Sequence, residues 1–388
     1  MNNFVFFNPT KIVFGKGVED KIGVETKYYA DKVLLHFGGG SVIRSGLLDR
    51  VRDSLKATRI DFVELGGVQP NPRISLVREG INLCREEHIT FILAVGGGSV
   101  IDSAKAIAVG VPYQGDVWDF YDHVVAPERA LGVGVILTIP AAGSESSNGS
   151  VISNEEFQLK RGLTANCLQP RFALMNPELT FTLPPYQTAC GTVDIMAHVM
   201  ERYFTNTQHV ELTDRLCESV LKTIIANVPV VLREPKNYDA RAEIMWAGTI
   251  AHNNLLGTGR EEDWSSHAIE HEISAIYDVA HGAGLAVVFP AWMKYVFGNN
   301  VARFARFAVN VWDVEPDFSN LDKTAQKGIG RMEEFFSSIG LPVRFPELNA
   351  PGKIDEIALK CVQNGNGTIG NFMKLDQRAI REILLLTK

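Results

Sequence analysis

A chain of 388 residues is long enough for two domains, each with a core of its own. Its 46% hydrophobic and 21% charged content is that of an ordinary globular protein, and a net charge of −7 leaves no basic footprint for nucleic acid or an anionic membrane. No apolar run approaches the roughly 20 residues of a membrane span, and MNNFVFFNPTKIVFGKG lacks the basic and long apolar regions of a secretory leader, so a cytoplasmic location is expected.

Phe4–Phe7 and Lys11–Phe14 flank Asn8-Pro9 and read as a small hairpin. A short helix near 18–22 leads to the buried-strand pattern KVLLHF, Lys32–Phe37, which ends in Gly38-Gly39-Gly40-Ser41 before a helix over 42–56. Phe62–Leu65 is a further strand, followed by a loop with Pro70-Asn71-Pro72 and a helix over 74–87. The strand Phe91–Val95 again ends in glycines, Gly96-Gly97-Gly98-Ser99, before the helix 100–109, and 131–139 and 171–175 complete the strand candidates. Strand, turn and helix alternating at this pitch predict an α/β domain with a mainly parallel sheet covered by helices. After Leu183-Pro184-Pro185 apolar residues recur at helical spacing, as in 188–204, 212–226, 241–256 and 324–339. The expected division is an α/β domain over 1–183 and an all-helical domain over 184–388.

The chemistry is expected where the histidines gather. Trp264–Pro290 holds His267, His271 and His281, and Asp194 and His198 stand four apart upstream. An i, i+4 pair shares a helix face, so Asp194 and His198 can clamp one side of a divalent cation, with His281 and either His267 or His271 closing the other. One carboxylate and three imidazoles suit Zn²⁺ or Fe²⁺ better than Ca²⁺ or Mg²⁺. A lone buried histidine is more often a satisfied core residue; the joint presence of these groups among small, apolar residues favours ligation. The cysteines, Cys84, Cys167, Cys190, Cys217 and Cys361, never form a CxxC pair, which argues against a disulfide framework and a thiolate zinc site.

Each glycine turn lets backbone approach a ligand and points helix N–H groups at an anion. Neither is a GxGxxG fingerprint or a Walker A loop, yet two at carboxyl ends of strands in one sheet favour a dinucleotide. Gly97, Gly98 and Ser99 with Asp102 are the pyrophosphate and ribose candidates. The first turn carries no acidic residue to bind the adenosine ribose; Gly38, Gly40 and Ser41 with Arg44 offer room, a hydroxyl and a cation, favouring NADP over NAD. Ala141–Asn154, rich in small and hydroxyl residues, reads as a ligand-lining loop, with Thr138 and Lys160 at its edges.

Gly96-Gly97-Gly98-Ser99-x-x-Asp102-x-x-Lys105, Pro70-Asn71-Pro72, Ala142-Gly143-Ser144-Glu145, Asp194-x-x-x-His198 and His267-x-x-x-His271 ending in His281-Gly282 together resemble the iron-containing (group III) alcohol dehydrogenase family, in its butanol dehydrogenase-like, aldehyde reductase branch. The resemblance runs essentially the whole chain. It implies a dinucleotide-binding α/β domain, an all-α C-terminal domain, an active site in the cleft between them, and a homodimer. It makes Asp194, His198, His267 and His281 the ligands of one Fe²⁺ or Zn²⁺ and turns His271 toward the substrate and nicotinamide; an imidazole, tunable near neutrality, makes His271 the candidate proton relay. It further implies cofactor contacts at Asn71, Gly97, Gly98, Ser99, Asp102, Thr138, Ser147 and Lys160, to which the loop reading adds Ser144.

The implied reaction is hydride transfer between NAD(P)H and a short-to-medium-chain aldehyde or primary alcohol, with polyol oxidation as the neighbouring alternative. A dehydroquinate synthase or glycerol-1-phosphate dehydrogenase-like enzyme would need extra cations near the metal, where only Arg260 stands close in sequence. A metal- or nucleotide-sensing protein is the non-catalytic rival.

Overall fold

A computed structural model describes residues 1–350 and 352–388. Its contacts divide the chain into two compact units, Phe7–Thr182 and Leu183–Lys388 together with Met1–Phe6.

The first unit holds strands β1 (Lys11–Phe14), β2 (Lys32–Gly38), β3 (Asp61–Val68), β4 (Phe91–Gly96), β5 (Gly132–Leu137), β6 (Gly149–Asn154), β7 (Leu159–Thr164) and β8 (Phe172–Met175). Six of them form one parallel sheet in the order β1-β8-β5-β4-β2-β3, and β6 and β7 pair as a separate antiparallel hairpin. The helices of this unit are α1 (Ile22–Lys27), α2 (Gly40–Arg44), α3 (Leu47–Ala57), α4 (Ile74–Glu86), α5 (Gly98–Gly110) and α6 (Trp118–Tyr121). Alternate residues of β2 (Val33, Leu35, Phe37) and β4 (Phe91, Leu93, Val95) pack with Leu47, Leu48, Val51 and Leu55 of α3 in one core. The intervening Leu34, Ile92 and Ala94 are also fully buried. This is why these strands read as unbroken apolar runs: both faces are covered. Each such Leu or Ile contributes about 1.5–3 kcal/mol by leaving water.

Topology sets the site. From β2 the chain steps to β3 on one side, then returns to lay β4 on the other side and moves outward through β5 and β8. The order therefore reverses between β2 and β4, which pair directly, Phe37 opposite Val95. A reversal point opens a crevice at the carboxyl ends of the two strands, and both glycine turns leave from there.

The helical unit comprises α7 (Pro185–Tyr203), α8 (Glu211–Arg233), α9 (Tyr238–His252), α10 (Ser265–Tyr277), α11 (His281–Val296), α12 (Val301–Trp312), α13 (Leu321–Ser338), α14 (Ile354–Asn364) and α15 (Gln377–Leu385). Its core is continuous and rich in aromatics, with Phe204 stacked on Phe304 at 4.5 Å and Trp292 fully buried beside them. α7 opens at Pro184-Pro185, where the fixed proline φ suits the first helical position, and every residue from Thr188 to Tyr203 is buried. No helix among the described residues is long and apolar enough to cross a membrane.

Three local expectations are corrected. Phe4–Phe7 is not a strand and forms no hairpin with Lys11–Phe14. β1 instead pairs in parallel with the distant β8, Lys11 opposite Phe172, at the sheet edge, while Asn2 N–H bonds to Gly259 O and draws the first residues onto the helical unit. The helix expected over 42–56 is two, α2 and α3, broken at Gly46 with φ +70°. The second half of the Ala141–Asn154 stretch is strand, β6, because its alternating Ser150, Ile152 and Asn154 turn a buried face inward opposite β7.

Candidate metal centre and dinucleotide site

α7 presents Asp194, His198 and Glu201 at positions i, i+4 and i+7, one face of the helix. α10 presents His267, and His281 is the first residue of α11, delivered by a tight link in which Asp278 takes a left-handed conformation, φ +52°. Asp194, His267 and His281 each offer a ligand atom within 4.8 Å of the others. His198 stands at the edge of this trio, its ring centroid 4.7 Å from that of His267. His271 lies on the side of His281, ring centroids 5.6 Å apart, and is half-buried. Among the described residues it also forms a second group with Glu270 and His281.

Hydrogen bonding fixes which nitrogen of each ring is left over. His198 Nδ1 lies 2.8 Å from the Asp194 carbonyl, which can only accept, so Nδ1 carries the proton. His267 Nδ1 donates to Glu201 Oε1 at 2.8 Å, and His281 Nδ1 bonds to Glu270 Oε2. All three rings therefore keep the Nε2 lone pair for another partner. His281 Nε2 lies 3.7 Å from Asp194 Oδ1. His267 Nε2 is buried without a hydrogen-bond partner, and Asp194 Oδ1, 3.0 Å from His198 Nδ1, has no well-aligned bond because that N–H is directed to the Asp194 carbonyl; a bound cation would remove the cost of both. The residues present thus fit a divalent cation of the zinc or ferrous type.

The charges agree with that reading. Burial works to raise the Asp194 carboxyl, but the His198, His281 and His267 rings in their protonated form, with the His198 N–H, outweigh it and hold the group at about 2. His267 is pushed well below the usual imidazole range by burial and by the neighbouring His198 and His281, which keeps it in the neutral, ligating form. Burial raises Glu201 to about 7 against the N–H groups of His267 and Trp264.

In the sheet unit, α5 starts at Gly98 directly after β4, and no side chain caps its N-terminus, so its first N–H groups are left for a ligand. A Cβ on Gly97 or Gly98 would stand 3.2 Å from Ile139 or Ala142, so a larger residue would crowd the turn. Thr138 N–H bonds to Gly96 O at 3.0 Å, which sets the end of β5 beside the same turn. Asn71 is buried in a left-handed conformation, φ +53°. Asp102 accepts from Ser144 Oγ at 2.6 Å and Val151 N–H at 3.1 Å, so its carboxylate organises the serine loop. Lys105, fully buried, donates to the carbonyls of Ser144, Ser147 and Gly149 at 2.7, 2.9 and 2.8 Å. Ser144 and Ser147 are buried around this anchor, and Lys160 of β7, opposite Ser153 of β6, is buried as well. At the first turn Gly40, Ser41 and Arg44 are exposed, and a Cβ on Gly40 would collide with the Arg44 guanidinium, which folds back over the turn.

Glu201, Glu270 and the anchoring role of Lys105 were not expected from sequence. A glutamate two turns beyond Asp194 in an otherwise apolar stretch, and another three residues after His267, were the available signals.

Two family models match the chain: iron-containing alcohol dehydrogenase over residues 9–177, and the C-terminal part of the Fe-containing alcohol dehydrogenase family over 188–386. The chain belongs to the iron-containing alcohol dehydrogenase family. It is similar to the probable NADH-dependent butanol dehydrogenase 2 of Bacillus subtilis, 45% identical with 99% of each chain covered. It is 36% identical to the NADPH-dependent aldehyde reductase YqhD of Escherichia coli, over 95% of each. Among solved structures, the NADH-dependent butanol dehydrogenase A of Thermotoga maritima superposes with a TM-score of 0.96 at 40% identity, covering 100% of this chain and 99% of that one. The resemblance drawn from motifs is borne out along the whole chain, and with it the α/β plus helical architecture. This iron-containing alcohol dehydrogenase homologue is an oxidoreductase of the alcohol dehydrogenase and aldehyde reductase kind.

Proposed function

We propose that the enzyme reduces short-to-medium-chain aldehydes to primary alcohols, reversibly, with NADPH favoured over NADH and one divalent cation held by Asp194, His198, His267 and His281. The observation that carries this is the convergence of the buried Asp194 Oδ1 and the buried, unpartnered His267 Nε2, with His281 Nε2 turned toward the same carboxylate. A bound Zn²⁺ or Fe²⁺ supplies Lewis-acid stabilisation of charge on the substrate oxygen, and the nicotinamide supplies the hydride. The protein's own residues orient and protect. The three Nδ1–H bonds keep the imidazoles in one tautomer, and the apolar helices around them exclude water.

His271, half-buried next to His281 and outside the tight trio, is assigned to carry the proton to or from the substrate oxygen, a task suited to an imidazole at neutral pH. Gly97, Gly98 and Ser99 hold the pyrophosphate on the α5 N-terminus, with Thr138, Asn71, Ser144, Ser147 and Lys160 around the nicotinamide half and Asp102 ordering the serine loop. The NADP preference rests on Arg44 lying over a turn of Gly38, Gly40 and Ser41 with no carboxylate to repel a 2′-phosphate. The named relatives include both NADH- and NADPH-dependent enzymes, and only this chain's own turn supports the preference. The protein is assigned to the cytoplasm as a homodimer.

The test is elemental analysis of the purified protein, coupled to oxidation of NADPH and NADH followed at 340 nm with C2 to C6 aldehydes. One Fe or Zn per chain, turnover lost in His267→Ala, and a higher kcat/KM with NADPH that Arg44→Ala abolishes are expected. Absence of metal and turnover after reconstitution with both ions defeats the reading.

A further inference from the structure

Two carboxylates outside the ligand set are sealed inside the helical unit with no exposure, Glu201 and Glu270. Burying an ionised carboxylate is costly unless hydrogen bonds compensate, and here the bonds are specific. Glu201 Oε1 accepts from both the backbone N–H of His267 at 3.0 Å and its Nδ1–H at 2.8 Å, while Oε2 accepts from Trp264 N–H at 2.7 Å. Trp264, the residue before α10, sits in a left-handed conformation with φ +67° and gives that helix no side-chain cap. The first N–H groups of a helix have no partner within it, so Glu201, reaching across from α7, caps α10 from outside. The same helix α7 carries Asp194 and His198, and α10 carries His267. One side chain thus ties together the two helices that bear ligands and dictates which nitrogen of His267 is presented.

We propose that Glu201 is a positioning residue of the metal site, one that sets cation affinity by fixing the tautomer and orientation of His267 and by clamping the start of α10 to α7. Glu270 performs the first of these tasks for His281, whose Nδ1 it holds. This inference rests on the ligand assignment proposed above. Glutamine is the discriminating replacement: it keeps shape and one acceptor oxygen, but its NH₂ faces an N–H group of either Trp264 or His267. The lost bond and the new donor–donor contact loosen the ring and free Nδ1 to exchange its proton.

The experiment measures Zn²⁺ affinity of the full chain by chelator competition, together with the visible spectrum of the Co²⁺-loaded protein, for wild type, Glu201→Gln, Glu270→Gln and Asp194→Ala. Glu201→Gln and Glu270→Gln are expected to bind Zn²⁺ about 10–100-fold more weakly and to shift the Co²⁺ bands, with wild-type circular dichroism. Should Glu201→Gln fail to fold, the Glu270→Gln arm decides. Wild-type affinity and an unchanged Co²⁺ spectrum in a folded glutamine variant, with Asp194→Ala having lost the ion, overturn the positioning role and leave the ligand assignment standing. Wild-type affinity in Asp194→Ala overturns both.

Discussion

Replacing Lys105 by methionine tests what holds the serine loop in place. The ammonium reaches the carbonyls of Ser144, Ser147 and Gly149 at 2.7, 2.9 and 2.8 Å and the hydroxyls of Ser144 and Ser147 at 3.0 and 3.4 Å. Its three hydrogens saturate the three carbonyls. Burial pushes the group down to about 8, with Asp102 and Glu145 resisting, so it is largely charged at neutral pH. Methionine keeps the stem and its packing but removes every donor and leaves Asp102 without its cation. Each buried carbonyl deprived of a partner costs about 1–3 kcal/mol. Against that stands the desolvation cost of the ammonium, several kcal/mol, which the variant no longer bears. Removing one member of a buried charged network nets a loss of about 3–5 kcal/mol. Urea unfolding followed by circular dichroism at pH 7 reads the stability, and steady-state assays read the KM for NADPH, which is expected to rise as Ser144 and Ser147 lose their seating. A loss below about 1 kcal/mol with an unchanged KM would refute the reasoning, because it would mean the serine loop holds its place without the lysine.

The remaining predictions concern other parts of the chain. In Gly282→Ala the added methyl collides with the backbone carbonyl of Cys190 on α7, so α11 must shift, at a cost of about 1–3 kcal/mol. His281 moves with α11, and elemental analysis should find less metal per chain; full occupancy at wild-type Tm counts against the packing argument. His36 is fully buried between Leu65 O at 2.8 Å and Ser103 Oγ at 2.9 Å, and burial lowers it to about 4. The unfolded imidazole takes its proton first, near 6.5, so stability is intact above that pH and falls by about 3 kcal/mol as pH drops toward 4. Urea midpoints across pH 4–7 should fall less steeply in His36→Asn than in wild type; parallel slopes would mean that His36 is not the group that titrates.

What the sequence revealed and what it concealed divide by the range of the interaction. The two glycine turns were legible because a strand that must stop, turn and feed a helix needs glycine locally, and β2 and β4 end at Gly38 and Gly96. That the turns are neighbours was not legible, since it depends on the chain laying β3 first and β4 on the other side of β2. Lys11–Phe14 shows the same limit: its strand character is local, but its partner is β8, some 160 residues away, and a hairpin was the wrong guess for a parallel edge. The Asp194–His198 face followed from helical spacing, and so in principle did Glu201. A carboxylate in that apolar stretch is easily passed over as a solvated residue, because its three N–H donors come from His267 of α10 and from Trp264 just before that helix.

The choice between His267 and His271 is the instructive case. Both sit on α10 one turn apart, and spacing alone treats them alike. Burial separates them. His267 is 5% exposed, its Nδ1 is held by a fully buried carboxylate, and its Nε2 is unpartnered beside Asp194. His271, one turn further along, is half-buried and adjoins His281. A ligand must be neutral, fixed and desolvated, whereas a proton carrier must exchange with solvent. With three residues between them, the two rings fall on either side of that requirement in the proposed assignment, so His271→Ala is expected to lower turnover while the metal content of the purified protein stays at the wild-type value; loss of the ion in that variant would move His271 into the ligand set.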